Sequence, residues 1–349
     1  MTSVSLSVPF VALLVVVLTT SLIGTWAFVY YARRVRMFDI PNARSSHAVP
    51  VPRGGGLVFS IVTLVALIIF SVSAPQKQGV PTITLVAIST VLTLGFLDDR
   101  LSLPAIFRLG FQVALVALMV FSFGPISPVL LVGGIHINSG VLLVTLFSVG
   151  VVWLVNLYNF MDGIDALAAG EALFVALAGA MLCWIHEATG VAAWLLVLSA
   201  SIVGFLAWNL PPAKVFMGDA GSIFLGFFFG VVTLASHTRG GPDVWVWLIL
   251  LGTFCVDATV TLLQRIRFGQ RPMDAHRTHA YQYLSRRYAS HGRVSAGVMA
   301  INVCWLLPWA FVAARAPTAG LACLAVAYAP LVMLAVKAGA GVPERPVVS

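Results

Sequence analysis

Long apolar runs alternate with short polar segments along this chain, and the runs have the length that a bilayer demands. A helix needs about 20 apolar residues to cross ~30 Å of hydrocarbon. Eleven runs qualify: 8–31, 57–73, 81–97, 105–123, 140–158, 166–185, 191–208, 220–237, 244–264, 294–314 and 317–336. The first, Val8 to Tyr31, has no basic residue before it and is too long for a signal-peptide core, so it reads as a retained span. The pattern predicts an all-α polytopic membrane protein of about eleven transmembrane helices, built as one integral membrane domain over residues 1–349. Composition agrees, with 60% hydrophobic and 9% charged residues and a mean hydropathy of +1.00. The four cysteines, at 183, 255, 304 and 323, fall inside apolar runs without metal-type spacing and read as small core residues.

Charge gives the runs an orientation. With the N-terminus placed outside, one set of loops and helix ends collects seventeen of the twenty Lys and Arg residues; the other holds only Lys77, Arg239 and Arg315. The positive-inside rule puts the richer set in the cytoplasm. The net charge of +8 is then a local field on one face, suited to anionic reactants or lipid headgroups and not a nucleic-acid signature. No internal repeat is visible, and the external segment 133–140 reads as a short hairpin.

Every chemically suggestive segment lies on that same face. NLYNFMDGIDALA (156–168) places Asn159, Asp162 and Asp165 at the end of the fifth span, where carboxamides and carboxylates need a cation or hydrogen-bonding ligand to satisfy them. GFLDDR ends the third span with the Asp98–Asp99 doublet, which can take up a proton, bind a metal, or cap a solvated helix end. In DIPNARSSHAVPVPRGGG, Arg53 precedes three glycines whose amides read either as a phosphate cradle, with Arg44 and His47, or as a flexible linker. WNLPPAKVFMGDAGS carries Asn209, Phe216, Asp219 and Ser222; a helix cap accounts for Asp219 or Ser222 but not for the rest. The longest loop contains HRTHAYQ, where His276 and His279 flank Arg277 and suit diphosphate oxygens better than a cation repelled by the surrounding arginines. Asp257, inside the ninth span, is either a functional acid or the partner of Arg265 or of a neighbouring helix.

Taken together and in order, these five segments over residues 33–293 resemble the polyprenyl-phosphate N-acetylhexosamine-1-phosphate transferases, the bacterial glycosyl transferases of family 4. HRTHAYQ looks most like the O-antigen-initiating subgroup that uses UDP-N-acetylfucosamine or UDP-N-acetylquinovosamine. The chain departs from the family where a third acid or Asn often follows the Asp doublet and Ser102 stands instead. The resemblance implies an inner-membrane enzyme with a cytoplasmic active site. Its reaction is transfer of the sugar phosphate of a UDP-N-acetylhexosamine to undecaprenyl phosphate, with release of UMP. It assigns Asp219 and Asn159 to Mg²⁺, or Mn²⁺ in its place, and Asp98, Asp99 and Asp162 to catalysis, with Asp98 on the lipid phosphate. Arg53 would bind substrate; Asp162 and Asp165, with Asn209 and Phe216, would contact the nucleotide; and His276, Arg277 and His279 would bind the diphosphate. The partners implied are the two substrates and membrane lipid, with a homodimer left open and nucleic acid excluded. Tyr281 and nearby apolar residues suggest a wall that accepts a 6-deoxy sugar; a transferase specific for UDP-GlcNAc is the alternative. A secondary transporter would need acids near the midplane and repeats related by symmetry, and a non-catalytic scaffold would not need the Asp and Asn set.

Overall fold

The computed structural model describes residues 7–41, 49–74, 78–101, 103–131, 135–271 and 276–343. Arg44, His47 and Ser102 lie outside them. Ten helices among the described residues are long and apolar enough to span a membrane, and a bent pair makes an eleventh. In order they are α1 (Val8–Arg34), α2 (Gly56–Ser73), α3 (Thr82–Leu101), α4 (Ala105–Phe123), α5 (Gly140–Met161), α6 (Leu167–Ile185), α7 (Thr189–Asn209) and α8 (Asp219–Thr238). Then come α9 (Val244–Leu250) and α10 (Gly252–Arg267), which meet at 78°, and the short α11 (Ala280–Tyr288). A tenth span joins α12 (His291–Ile301) through a π-helical turn at Asn302–Leu306 to α13 (Leu307–Arg315), and α14 (Gly320–Lys337) is the last. Each of the eleven expected spans is present; the bend in the ninth carries no signal in hydropathy. Next to the segment expected to turn back as a hairpin, β3 (Val129–Leu130), which begins before residue 133, pairs antiparallel with β4 (His136–Ile137), as β1 (Phe38–Asp39) does with β2 (Val51–Pro52).

Helix α8 is the axis of the bundle, enclosed along its hydrophobic length by α2, α3 and α5. Its apolar side chains, Phe227, Phe228 and Phe229 among them, are buried all round, as expected of a helix without a polar face. In lipid there is little hydrophobic drive between helices, so close approach through small residues does the packing. A Cβ added at Gly95 of α3 would lie 2.7 Å from Ala220 Cα, and one at Gly226 would lie 2.6 Å from Val155 Cα of α5. The approach at Gly95 brings the end of α3 against the start of α8, where the polar segments meet.

Candidate active site

Helix α8 opens without a cap of its own. The first amides of a helix have no intrahelical acceptor, and here Asp99, on the last turn of α3, supplies one from outside. Its Oδ1 accepts from the Asp219 amide and its Oδ2 from the Ala220 amide, each at 3.0 Å. Arg53 closes the arrangement, with Nε 3.2 Å from Asp99 Oδ1 and Nη2 2.9 Å from Asp219 Oδ1. From α5, Asn159 Nδ2 donates to Asp219 Oδ1 at 2.8 Å and to Ser222 Oγ at 3.0 Å. Asp162, one residue past α5, faces the same group. Burial pushes its carboxyl up to about 7, with Arg53 opposing and Asp219 and Asp99 adding repulsion. Five of the expected site residues (Arg53, Asp99, Asn159, Asp162 and Asp219) are therefore brought together by four different loops or helix ends.

Three carboxylates facing one guanidinium leave negative charge uncompensated, which suits a divalent cation. Among the described residues no three acidic, cysteine or histidine side chains form a preformed metal cage. The fit is one of donor chemistry: Mg²⁺ takes one or two carboxylates and completes its shell with substrate phosphate and water. Asp219 and Asp162 offer hard oxygens of that kind, and Asn159, which here turns Nδ2 to Asp219, would present its oxygen by a flip of its carboxamide.

Other candidates stand apart. Asp98, next to Asp99 in sequence, points to α4 instead: its Oδ1 accepts from the Leu103 amide at 2.9 Å and its Oδ2 pairs with Arg108. The Asp doublet thus serves two separate partners. The glycine amides do not form a phosphate cradle either, since Gly54 and Gly55 donate to Phe216 O and Gly56 donates to Met217 O. With the Phe216 amide on Pro52 O, these bonds lay the first loop alongside the fourth.

A second group surrounds a cleft of ≈ 570 Å³ lined by Asp165, Phe216, Arg286 and His291 among others. Asp165 accepts from the Ala213 amide at 3.0 Å and pairs with His291 Nδ1 at 3.0 Å, tying α12 to the proline turn at 211–212. Asn209 is buried, and its amide oxygen accepts from Ala166 (φ +60°) while its Nδ2 donates to Val215 O. It braces both sides of the cleft, whereas Phe216 is half-buried on its wall.

The third group is the histidine arm before α11. Asp257 caps that helix from α10, as Asp99 caps α8: it accepts from the Ala280 amide at 2.9 Å and the Tyr281 amide at 3.0 Å, and holds His279 Nδ1 at 3.3 Å. A neighbouring helix's polar group is therefore its partner, and Arg265 instead serves Gln270 and the Arg271 carbonyl. His276 stacks on His279 with ring centroids 5.0 Å apart, ahead of the helix and not on one of its faces. Burial, the adjacent His279 and Arg265 push His276 down to about 3, so it is neutral at physiological pH. The Thr278 amide approaches its Nδ1 at 3.5 Å, which favours the tautomer with a proton on Nε2. Arg277 is half-buried beside it, its carbonyl bonded by Arg286. Tyr281 is buried with its hydroxyl on Phe160 O at 3.0 Å, against Gly163, so it packs the arm. Between this arm and α14 lies an apolar cleft of ≈ 400 Å³, lined by Phe254, Val256, Leu284, Val298 and Leu334, with Arg287 and Lys337 on its lining. Sequence reasoning missed Arg108 and His291, because a basic residue near a helix start has no pattern of its own until its partner is placed.

The fold and site define a multi-pass membrane protein with an acid-rich centre at one face. Residues 81–237 match the family described as glycosyl transferase family 4. Over 321 residues the chain is 30% identical to the decaprenyl-phosphate N-acetylglucosaminephosphotransferase of Mycobacterium leprae (strain TN), covering 81% of this chain and 77% of the relative. It is 28% identical over 282 residues to a probable undecaprenyl-phosphate N-acetylglucosaminyl 1-phosphate transferase of Bacillus subtilis (strain 168), covering 79% and 77%. It is also 26% identical over 257 residues to the phospho-N-acetylmuramoyl-pentapeptide-transferase of Streptococcus thermophilus (strain CNRZ 1066), covering 70% of each. The chain belongs to glycosyl transferase family 4 and is a phosphosugar transferase. These relatives carry the family and not the O-antigen subgroup.

Proposed function

We propose that this enzyme transfers an N-acetylhexosamine-1-phosphate from a UDP-sugar to undecaprenyl phosphate on the cytoplasmic side of a bacterial inner membrane. An acceptor phosphate oxygen bonds to the β-phosphorus, the bond from that phosphorus to the bridging oxygen breaks, and UMP leaves. The observation that carries this is the cluster of Asp99, Asp162 and Asp219 around Arg53. Two anionic reactants have to meet there, so the task is chiefly charge neutralisation and positioning. Asp219, Asp162 and Asn159 would hold Mg²⁺, which supplies Lewis-acid neutralisation of the diphosphate when bound. Asp99 keeps the start of α8 and Arg53 in place. Asp98, paired with Arg108, aims a guanidinium at the acceptor phosphate, and the apolar cleft behind the histidine arm has the character an isoprenoid chain needs. Phe216 supplies a face for uracil, in a cleft framed by Asp165 and Asn209. Neutral His276 donates from Nε2 to the diphosphate, with Arg277 and His279 beside it.

Mg²⁺-dependent release of UMP by purified protein given undecaprenyl phosphate and UDP-GlcNAc or a 6-deoxy analogue tests the reading. No UMP with any of these donors would sink it. At the finer level we propose initiation of a lipid-linked glycan such as O-antigen, on the form of HRTHAYQ alone. Competition between UDP-GlcNAc and UDP-N-acetylfucosamine or UDP-N-acetylquinovosamine decides that level: turnover of a 6-deoxy donor at least equal to UDP-GlcNAc is expected, and a strong UDP-GlcNAc preference returns the enzyme to the plain GlcNAc-1-phosphate class of its named relatives.

A further inference from the structure

Glu171 lies one turn into α6, 1% exposed and inside a membrane span, and the site described above does not use it. An acid placed there is costly unless it is matched. Its carboxyl meets two polar side chains, each at an irregularity in another span. Thr253 is the second residue of α10, just past the 78° bend, and Asn302 opens the π-helical turn between α12 and α13. Thr253 Oγ1 lies 3.3 Å from Glu171 Oε1, 3.2 Å from Oε2 and 3.1 Å from Asn302 Oδ1, and Asn302 Nδ2 donates to Oε2.

Counting protons settles how the three groups are joined. A threonine hydroxyl has one proton, yet Thr253 Oγ1 faces three oxygens. If Glu171 were ionised, that proton could serve the carboxylate or Asn302 Oδ1 but not both, and one oxygen pair would be left in unrelieved contact. With a proton on Glu171, all three groups are joined: Glu171 O–H to Thr253 Oγ1, Thr253 O–H to Asn302 Oδ1, and Asn302 N–H to the remaining Glu171 oxygen, whose own contact with Thr253 is the ordinary near approach of a carboxylic acid's second oxygen to its acceptor. The result is a neutral ring of hydrogen bonds, which hydrocarbon surroundings tolerate without a counter-ion.

The ring reaches the active site through α10. Thr253 and Asp257 are four residues apart and so share a face of that helix. Thr253 is held by the ring, and Asp257 holds the Ala280 and Tyr281 amides and His279. We propose that protonated Glu171 is a positioning residue: its ring sets the roll of α10 at the bend, and this keeps Asp257 under the start of α11 and the histidine arm in place. The kinetic part of its test rests on the transferase reading; the structural part does not.

Amide exchange measured by mass spectrometry over residues 278–284 of the full protein in nanodiscs tests this. Glu171→Gln keeps the shape and completes the same ring, since its NH₂ donates to Thr253 and its carbonyl accepts from Asn302. It should exchange like the native protein. Glu171→Leu and Thr253→Val break the ring and should speed exchange at Ala280 and Tyr281 about tenfold, the scale of one buried hydrogen bond, while segments of α8 stay unchanged. In parallel, KM for the UDP-sugar should rise in both ring-breaking variants and stay native in Glu171→Gln. Native exchange at 278–284 in both ring-breaking variants overturns the proposal, as does a Gln variant as impaired as Leu. If exchange changes as expected but KM does not, the ring stands and the placement of the donor at the histidine arm falls. Thr253→Val keeps the branched shape and carries the test if the Leu variant fails to fold.

Discussion

At the scale of single residues, neighbours in sequence have unlike duties. Asp99 caps a helix and steadies Arg53, whereas Asp98 is paired with Arg108 on the other side of α3. Asp99→Ala should therefore lower stability by about 1–2 kcal/mol, the worth of a lost cap, in thermal unfolding in detergent. Asp219→Asn keeps size but not charge; it should abolish turnover with insertion and unfolding temperature nearly intact, and near-normal activity at ordinary Mg²⁺ would remove its metal role. Asp162 adds a pH signature. Its ordinary value of 3.8 is raised to about 7 in the folded protein, so the fold holds a proton that the unfolded chain has released. The stability this contributes is fully present below the lower value and is lost as pH rises through about 7. Unfolding temperature measured in chelator should fall across that window in the native protein relative to Asp162→Asn, and added Mg²⁺ should flatten the difference. The types of these residues were legible in the sequence, since acids at the ends of apolar runs are conspicuous. Their duties were not, because the Asp99–Ala220 bond spans 121 positions.

At the scale of elements, two helices that carry site residues are capped from a distance, α8 by Asp99 of α3 and α11 by Asp257 of α10. Hydropathy located all eleven spans because length and apolarity are local properties. It could not show the bend between α9 and α10, nor that Gly54, Gly55 and Gly56 give their amides to the fourth loop, since both depend on what the segment packs against. The Gly163 turn gives an element-level test. A Cβ there would sit 2.1 Å from the buried Tyr281 hydroxyl, whereas one at Gly150 would meet nothing within 4 Å. Gly163→Ala should displace α11 and cut activity severalfold, while Gly150→Ala, mid-helix, should be neutral or slightly stabilising. Equal activity in the two variants would show that the contact does not matter.

At the scale of the whole molecule, the charge asymmetry read from sequence predicts that Asp98, Asp162, Asp219 and His276 all face the cytoplasm. Cysteines placed there should be labelled only by reagents that reach that side, and labelling of any two from outside intact cells would overturn the arrangement. The contact between the first and fourth loops has a consequence for ligands. Arg53, which touches the acidic centre, and Phe216, on the wall of the ≈ 570 Å³ cleft, are joined by a parallel backbone bridge. A ligand that settles on Phe216 would bear, through this bridge, on the segment from which Arg53 reaches Asp219, so occupancy of one site should bias the other. Thermodynamic reciprocity then requires UMP to tighten Mn²⁺, used as a spectroscopic stand-in for Mg²⁺, by the same factor as Mn²⁺ tightens UMP. Calorimetric titrations in both orders would measure that factor, and a value of one would mean that the two loops are joined in space but independent in energy.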